Sequence, residues 1–241
     1  MKIRLLFLAG LMFSGFFAWG QQTEISSKDI QFDKSKTSYA MGFQLGRDLA
    51  ARKGTEFELS MDEVIKGVRD AYAGKEPAYA KEDLIKNMKA FEQKMRAKQI
   101  EMFKKLAEEN KKRSEQFLAQ NRKKKGIKEL PSGVQYRVIE EGTGKRPTAD
   151  SEVTIHYRGS ILGKDNFDNL REFDSSFIRG VPRTFKVSEV LKGWQEVLPL
   201  MKVGAKWQVF IPPELAYGIR GQGPIGPNEV LVFDINLLDV K

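Results

Sequence analysis

Cysteine is absent from the 241 residues, and His156 is the only histidine. Without cysteine the chain can form no disulfide, no thiolate nucleophile and no cysteine-ligated metal site. A single histidine also excludes a metal site built on several imidazoles. We therefore expect the folded chain to be stabilised by its hydrophobic core or by association with another chain.

The amino terminus carries a short apolar run between charged and small residues. Lys2 and Arg4 precede the apolar run 5–17, and Ala18 and Gly20 follow it. The run is too short to cross a bilayer, which takes about 20 residues, and this order of residues is typical of a secretory signal. We predict a signal peptide over residues 1–20 and export of the mature chain. An uncleaved N-terminal anchor is the alternative.

The net charge of +9 lies in a single segment. Residues 81–128 contain sixteen basic and seven acidic residues, and the remaining residues are balanced at twenty-five of each. Lysine and glutamate alternate there at helical spacings, which favours a solvated helix surface. Binding of acidic lipid headgroups or acidic client chains is the alternative. Nucleic acid is not expected as a partner of an exported chain.

The N-terminal half has the pattern of helices. In the first of these, over 35–51, Tyr39, Phe43, Gly46 and Ala50 recur at spacings of three and four. Glycine costs about 1 kcal/mol against alanine inside a helix, so the pair Gly42 and Gly46 favours close approach of another backbone. Chance occurrence in a poorly ordered helix is the alternative. Gly54 is placed to end this first helix.

Two further helices follow. Ser60 and Glu63 have the spacing of a capping box at the start of the second. The third is predicted over 81–125, which contains neither glycine nor proline, and its apolar stripe thins after Leu106. We expect its first half to pack against a partner and its second half to stand in solvent. These helices hold too few apolar residues for an independent core. We therefore predict a homodimer formed by a helical dimerisation domain over 21–80, with 81–125 as a connecting helix.

The C-terminal half, residues 126–241, has the alternating pattern of strands. Apolar side chains recur at every second position around Val134, Val153 and Leu231, with glycine-rich and proline-rich turns between these runs. A short helix is predicted near 191–198. Together these elements predict an α+β domain in which an antiparallel sheet wraps on one short helix.

Five short motifs of this half occur in a fixed order. They are VTIHYRG (153–159), FDSS (173–176), VLKGW (190–194), AYG (216–218) and VLVFDINLL (230–238). Together they resemble the FKBP-type peptidyl-prolyl cis-trans isomerase family. Upstream, YAMGFQLG (39–46) and the long charged helix resemble the Mip and FkpA branch, whose members are exported dimers of Gram-negative bacteria.

The resemblance implies a set of site residues. Asp174 and Tyr217 are expected to be catalytic, through a carboxylate at the pocket and a hydroxyl offered to a substrate carbonyl. The substrate-binding residues that it implies are Tyr157, Phe173, Val190, Leu191, Trp194 and Phe233, and the backbone N–H of Leu191 is expected to bind a ligand carbonyl. Two features depart from the family pattern: the longer segment 163–172, and Arg183 where many members carry an aromatic residue. We expect both at the rim of the pocket, where they would affect ligand preference.

The implied reaction needs no cofactor. Rotation about an X-Pro bond breaks amide resonance against a barrier of about 18–20 kcal/mol, and a site that binds the twisted amide best accelerates it. The expected partners are unfolded or exposed proline-containing polypeptides, a second copy of the chain, and inhibitors of the FK506 and rapamycin type. The expected location is the periplasm or the outer membrane. The alternative function is a chaperone or adhesion-type module that acts through the dimer cleft without catalysis.

His156 is not expected to take part in catalysis. It alternates with Tyr157 on a predicted strand, so the two side chains point to opposite faces of the sheet. A hydrogen-bonded structural role is the prediction for this histidine.

Overall fold

The structure is a computed structural model, and it describes residues 31–164 and 166–241. The predicted signal peptide over 1–20 lies outside the described residues. The chain divides into two compact units, with the boundary between Ala80 and Lys81.

The described part of the first unit contains two helices, and both begin at a side-chain cap. Helix α1 spans Lys34–Ala50, and the carboxylate of Asp33 accepts from the Lys36 N–H at 3.0 Å. Gly54 follows α1 with a φ of 73°, a left-handed conformation that suits glycine at a helix end. Helix α2 spans Met61–Tyr72. The predicted start of α2 is therefore confirmed.

At the start of α2, one of the two hydrogen bonds of the predicted capping box is formed. The Ser60 hydroxyl accepts from the Glu63 N–H at 3.3 Å. The Glu63 carboxylate accepts from the hydroxyl of Tyr79 at 3.2 Å. Glu63 thus ties the start of α2 to the segment that follows this helix.

Most apolar residues on the two described helices of the first unit are exposed. Neither of its two described helices contains a buried residue. Tyr39 and Phe43 of α1 stack with ring centroids 5.9 Å apart while remaining 73% and 56% exposed. On α2, Val68 and Tyr72 are also exposed. These helices therefore carry apolar surface that the unit itself does not cover.

The second unit begins with the long helix α3, Lys81–Asn121, about 60 Å in length at 1.5 Å per residue. Its buried residues are Ala107, Asn110, Ser114, Phe117 and Asn121. The first half is exposed, as at Leu84 and Met88. The expectation that the second half stands in solvent is therefore wrong. Its last turns pack on the sheet through Phe117 and through small and polar side chains, and an apolar stripe does not reveal the small and polar ones.

The charged surface of α3 has the predicted solvated form. Lysine and glutamate pair one turn apart, at Lys98–Glu101, Lys105–Glu109 and Lys112–Glu108. Such exposed pairs contribute about 0.3–0.5 kcal/mol each. In the part of the chain that the structure describes, no helix is both long and apolar enough to cross a membrane.

The rest of the second unit is a seven-stranded antiparallel sheet. Its strands are β1 (Ile127–Glu129), β2 (Gln135–Glu140), β3 (Glu152–Leu162), β4 (Leu170–Ser175), β5 (Arg183–Lys186), β6 (Lys206–Ile211) and β7 (Leu231–Val240). They are ordered β1-β2-β6-β7-β3-β4, and β5 also pairs with β3. The central strands β3 and β7 place Ile155, Ile235 and Leu237 in the core, each fully buried.

One short helix packs on this sheet. Helix α4 spans Lys192–Val197, and its Trp194 and Val197 belong to the main core cluster. Gly193 allows the close contact, because a Cβ there would lie 2.5 Å from a methyl carbon of Ile211 on β6. The predicted α+β domain, a sheet wrapped on one short helix, is confirmed.

Candidate active site

A cavity of about 440 Å³ opens beside α4. Residues of β3, β4, β5, β7, α4 and the adjoining turns line it: Tyr157, Phe173, Asp174, Phe185, Glu189, Val190, Leu191, Trp194, Tyr217 and Phe233. The structure therefore brings together all eight residues that the sequence implied. It adds Phe185 and Glu189, which the sequence did not indicate.

Aromatic rings form the floor and walls of this cavity. Trp194 lies at the centre, with its ring centroid 5.4 Å from Tyr157 and 5.0 Å from Phe233, at interplanar angles of 80° and 79°. Phe173 meets Phe233 at 5.8 Å and 87°. Edge-to-face pairs of this kind contribute about 0.5–1.5 kcal/mol beyond their burial. The rings thus form a rigid apolar enclosure.

A glycine on β3 allows two of these rings to meet. A Cβ at Gly159 would lie 2.6 Å from the ring of Phe233 and 2.7 Å from that of Phe173. Gly159 pairs with Phe233 on β7 and with Asp174 on β4, and a bulge follows it in the β3–β4 ladder. Any larger residue at this position would push the two rings apart.

The polar edge of the cavity is a hydrogen-bonded group of three side chains. The Tyr157 hydroxyl donates to Asp174 at 2.5 Å. The guanidinium of Arg179 donates to the other oxygen of Asp174 at 2.5 Å and to the Tyr157 hydroxyl at 2.9 Å. Arg179 was not predicted from the sequence, since it lies outside the five motifs. These bonds fix the orientation of the Asp174 carboxylate.

The same contacts determine the ionisation of the group. Burial alone would raise the pKa of Asp174, but the hydrogen bonds and charge of Arg179 and the bond from Tyr157 outweigh it and lower the pKa. Burial, with the neighbouring carboxylate, raises the pKa of Tyr157. Burial also raises the pKa of Tyr217, and the charge of Asp174 adds to that effect. At neutral pH this group therefore holds one carboxylate, one guanidinium and one protonated phenol, and Tyr217 is a second protonated phenol of the cavity.

Tyr217, Val190 and Leu191 complete the entrance. Tyr217 precedes a short 3-10 turn over Gly218–Arg220. Val190 and Leu191 come directly before α4, and the carbonyl of Leu191 accepts from the Trp194 and Gln195 N–H groups of its first turn at 2.9 and 3.0 Å. The side chain of Gln195 donates to the carbonyl of Val190 at 2.8 Å. The entrance is thus held by the start of α4.

Phe185 explains the departure at Arg183. Both residues lie on β5, two positions apart, and Arg183 is exposed while Phe185 is partly buried in the wall. The ring of Phe185 is 6.0 Å from both Trp194 and Tyr157. Phe185 lies between the exposed residues Thr184 and Lys186 on β5. This alternation, close before the VLKGW motif, could have indicated Phe185 as the wall residue.

The longer segment 163–172 lies elsewhere than predicted. Its Phe167 contacts Phe117 of α3, with ring centroids 5.6 Å apart. Arg113 of α3 donates to the carbonyl of Gly163, and Lys124 pairs with Asp168 at 3.8 Å. The described part of the segment before β4 therefore packs against the long helix, and none of it lines the aromatic cavity. The expectation that this part shapes the pocket rim is wrong.

His156 has the structural role that the sequence predicted. Its Nδ1 is 2.9 Å from the hydroxyl of Ser176, and its ring stacks on Phe177 at 4.7 Å. It does not line the aromatic cavity. The Ser176 hydroxyl accepts from the Tyr157 N–H at 2.8 Å. His156 therefore contributes to the packing behind the site.

The cavity suits a reaction that changes the shape of an amide without breaking it. A twisted amide has lost its charge separation, so an apolar enclosure stabilises it relative to the planar form. Asp174 and the hydroxyl of Tyr217 can hold a bound chain by polar contacts. Within residues 31–164 and 166–241 there is no group of three or more acidic or histidine side chains that could hold a metal ion.

Comparison with known proteins supports this interpretation of the cavity. Residues 144–238 match the family described as FKBP-type peptidyl-prolyl cis-trans isomerase, and residues 34–138 match the domain amino terminal to it. The chain is 38% identical to the outer membrane protein MIP of Legionella longbeachae, covering 100% of this chain and 99% of that protein. It is 39% identical to the peptidyl-prolyl cis-trans isomerase Mip of Coxiella burnetii, covering 91% and 92%.

The fold is shared with a solved relative. The crystal structure of FkpA from Escherichia coli matches with a TM-score of 0.67 and 35% identity, over 88% of this chain and 98% of that one. The same combination of helices α1 and α2, here called the N-terminal arm, with the long helix and the sheet wrapped on a short helix is thus already known. The chain belongs to the FKBP-type peptidyl-prolyl cis-trans isomerase family, in the branch that contains Mip and FkpA.

Proposed function

We propose that this isomerase acts on X-Pro bonds in unfolded or exposed segments of envelope proteins and so assists their folding. The observation that carries the proposal is the enclosure of Trp194 by aromatic rings, with Asp174 at its edge. An X-Pro bond exchanges in tens to hundreds of seconds without a catalyst, which is slow enough to limit folding. A proline ring fits an apolar cavity of about 440 Å³.

We assign the roles within the site as follows. The ring of Trp194 supports the proline, and Tyr157, Phe173 and Phe233 exclude water around the rotating bond. The Tyr217 hydroxyl donates to a substrate carbonyl, and Asp174 lies where its fixed charge faces the bound chain. Val190 and the Leu191 N–H hold the chain at the entrance. Inhibitors of the FK506 and rapamycin type would occupy the same cavity.

We further propose that the chain acts as a homodimer formed through its N-terminal arm. The support is the uncovered apolar face of α1, where a groove of about 520 Å³ runs along Tyr39, Gly42, Phe43 and Gly46. A Cβ at Gly42 or Gly46 would meet nothing within 4 Å, so these glycines leave room for the backbone of a second copy. Two sites in one dimer would bind a long client chain more tightly than one.

Export to the periplasm or the outer membrane is part of the proposal. It rests on the predicted signal peptide over 1–20 and on the printed name of the Legionella relative, an outer membrane protein. A chaperone contribution from the exposed apolar residues of the arm would accompany the isomerase activity.

The test uses the mature chain, residues 21–241. We expect it to accelerate cis-trans exchange in a short proline peptide and to speed the proline-limited refolding of a model protein, with FK506 inhibiting both. If a folded preparation left peptide exchange at its uncatalysed rate but still prevented aggregation, the non-catalytic alternative would replace this proposal. Cell fractionation with an antibody to the arm would test the location.

A further inference from the structure

The loop that follows Tyr217 extends from the cavity to the long helix. It consists of residues 218–229, and Val230 joins it to β7. Its tip is closed by a bridge between Gln222 and Ile225, and Ile225 is buried in the main core. The far end of the loop lies on the last turns of α3.

Three polar contacts join α3 to this end of the loop. The side chain of Asn110 donates to the Pro227 carbonyl at 2.9 Å. The hydroxyl of Ser114 donates to the Asn228 carbonyl at 2.8 Å. The side chain of Asn228 donates in return to the Ala107 carbonyl at 3.1 Å. Two successive residues of the loop are thus held by the part of the helix between Ala107 and Ser114.

Ser114 also contacts the strand that follows the loop. Its oxygen accepts from the Val230 N–H at 2.9 Å, so one hydroxyl bridges the backbone on both sides of Glu229. Val230 precedes β7, which carries Phe233 of the cavity wall. Ser114 therefore fixes the point where the loop becomes a strand.

The anchored end is one hydrogen bond from the cavity. The N–H of Asn228 donates to the carbonyl of Gly218 at 2.9 Å, and Gly218 is the neighbour of Tyr217. Asn228 holds this position with a φ of 53°, a left-handed conformation that asparagine tolerates better than most residues. Its backbone therefore links the helix contacts directly to the residue beside Tyr217.

The burial of these helix residues needs an explanation beyond docking. Asn110 and Ser114 are 5% and 3% exposed. A buried polar group costs free energy unless it is hydrogen-bonded, and apolar residues such as Phe117 are sufficient to pack a helix on a sheet. What apolar residues cannot do is bind the carbonyl and N–H groups of an irregular loop. The polar residues are therefore matched to the loop.

We propose that Asn110 and Ser114 are positioning residues of the isomerase site. They fix the backbone of the 218–229 loop and thereby the place of the Tyr217 hydroxyl, so the long helix is part of the catalytic unit. The inference rests on the proposed role of Tyr217.

The test compares variants of the mature chain in a peptide assay. We expect Ser114→Ala and Asn110→Ala each to lower kcat/KM by about threefold to tenfold, the scale of one lost hydrogen bond. Asn121→Ala is the matched control. Asn121 is also a buried polar residue of α3, and it donates to Gln135 on β2 at 2.9 Å, away from the loop. It should lower the melting temperature and leave kcat/KM unchanged.

Two further measurements separate positioning from stability. Ser114→Thr, which keeps the hydroxyl, should restore kcat/KM, and Asn110→Ala provides the result if Ser114→Ala does not fold. Hydrogen exchange at the Asn228 N–H should accelerate in Ser114→Ala while the amides of β3 stay protected. Equal losses of kcat/KM in Ser114→Ala and Asn121→Ala would overturn the inference.

A double-mutant cycle identifies the route. If Ser114 acts through the Tyr217 hydroxyl, Ser114→Ala should have a smaller effect in a Tyr217→Phe background than in the native chain. Full additivity of the two changes would overturn the inference. The single variant Tyr217→Phe tests the proposed function separately. If Tyr217→Phe leaves kcat/KM unchanged, the proposed role of Tyr217 is wrong. If Tyr217→Phe lowers kcat/KM and Ser114→Ala does not, only the positioning role is wrong.

Discussion

The hydroxyl of Tyr157 donates to the carboxylate of Asp174 across two neighbouring strands, at 2.5 Å. Arg179 binds both residues from the turn after β4. The carboxylate thus has a fixed direction before any substrate arrives, and no reorganisation is needed when a chain binds. Such preorganised charge is worth more at an apolar site than in water.

This arrangement predicts the effect of removing the carboxylate. Asp174→Ala should weaken binding of an FK506-like ligand, or lower turnover, by about 1–3 kcal/mol, the scale of a lost hydrogen bond to a charged group. Tyr157 keeps a partner in Arg179, so the melting temperature should change little. Tyr217→Phe should show a smaller loss of the same kind, because its ring still fills its place.

The measurements for this prediction are thermal melts, peptide kinetics and ligand titration on the same preparations. Arg220→Ala, which changes an exposed residue just past the entrance, serves as the control and should match the native chain. An Asp174→Ala variant that is largely unfolded, with a folded fraction of normal activity, would contradict the role assigned to this residue.

The cavity could be predicted from the sequence because its residues lie in short motifs. Tyr157, Trp194 and Phe233 belong to strings in which order and spacing repeat the family pattern. Phe185 and Arg179 could not be found in this way, since they come from the stretch between motifs. Their roles depend on how β5 and the turn after β4 fold back on β3.

The docking of the long helix could not be predicted, for a different reason. Apolar periodicity indicates a packed helix face, but besides Phe117 the docked part of α3 buries Asn110, Ser114 and Asn121. Polar residues such as these are expected on a solvent-facing surface. The apolar residues Leu84 and Met88, which read as packed, are exposed within the chain. Backbone groups of an irregular loop produce no periodic pattern in the sequence. The sequence therefore could not show that the 218–229 loop binds Asn110 and Ser114.

The shifted pKa values of Asp174 and Tyr157 determine how activity and stability depend on pH. Asp174 has a pKa below its ordinary value of 3.8, so it is a carboxylate throughout the neutral range. The ionised Asp174 adds to the free energy of unfolding at pH values above that ordinary pKa. This contribution is lost as the pH falls through the lower pKa that Asp174 has in the folded chain. Tyr157 has a pKa above its ordinary value of 10.0. The protonated Tyr157 adds to the free energy of unfolding below pH 10.0. This contribution is lost as the pH rises through the higher pKa that Tyr157 has in the folded chain.

We therefore expect a rate that is flat between about pH 6 and 8, the range in which a free histidine side chain titrates. His156→Ala should keep this profile and most of the activity, because His156 does not line the cavity. The check is peptide kinetics across the range for the native chain and the variant. A bell-shaped profile that disappears in His156→Ala would contradict the assignment of the site.

The contact between α3 and the sheet predicts a large effect on stability. Phe117 is 4% exposed and packs with Phe210 and Val232. Phe117→Ala should lower the free energy of unfolding by about 3–5 kcal/mol, the usual cost of removing a buried aromatic ring. Gln116→Ala, at the exposed neighbouring position, should change it by less than about 0.5 kcal/mol.

Chemical denaturation of both variants would measure these changes. Since Phe117 is 5.6 Å from Phe167 of the longer segment, Phe167→Ala should show a smaller loss in the same direction. Equal stability of Phe117→Ala and the native chain would mean that the last turns of α3 do not belong to the folded core of this unit.

The uncovered face of α1 predicts how the proposed dimer can be separated from catalysis. Phe43→Ser removes one of the two stacked rings on that face and makes its burial against a second copy unfavourable, because the apolar area lost is the main source of association energy. We expect the mature chain to sediment as a dimer at micromolar concentration and the variant as a monomer. Because the cavity lies in the second unit, kcat/KM on a short peptide should stay unchanged.

Gln44→Ser is the matched control for this last comparison. Gln44 is the next residue of α1, and its side chain donates to Asp48 of the same helix at 3.3 Å. The control should remain a dimer with native activity. In the refolding of a proline-containing protein, Phe43→Ser should lose more activity than on the peptide, since a long client could no longer bind two sites at once. A native chain that sediments as a monomer, or a Gln44→Ser variant that dissociates as fully as Phe43→Ser, would remove the basis for assigning the interface to this face.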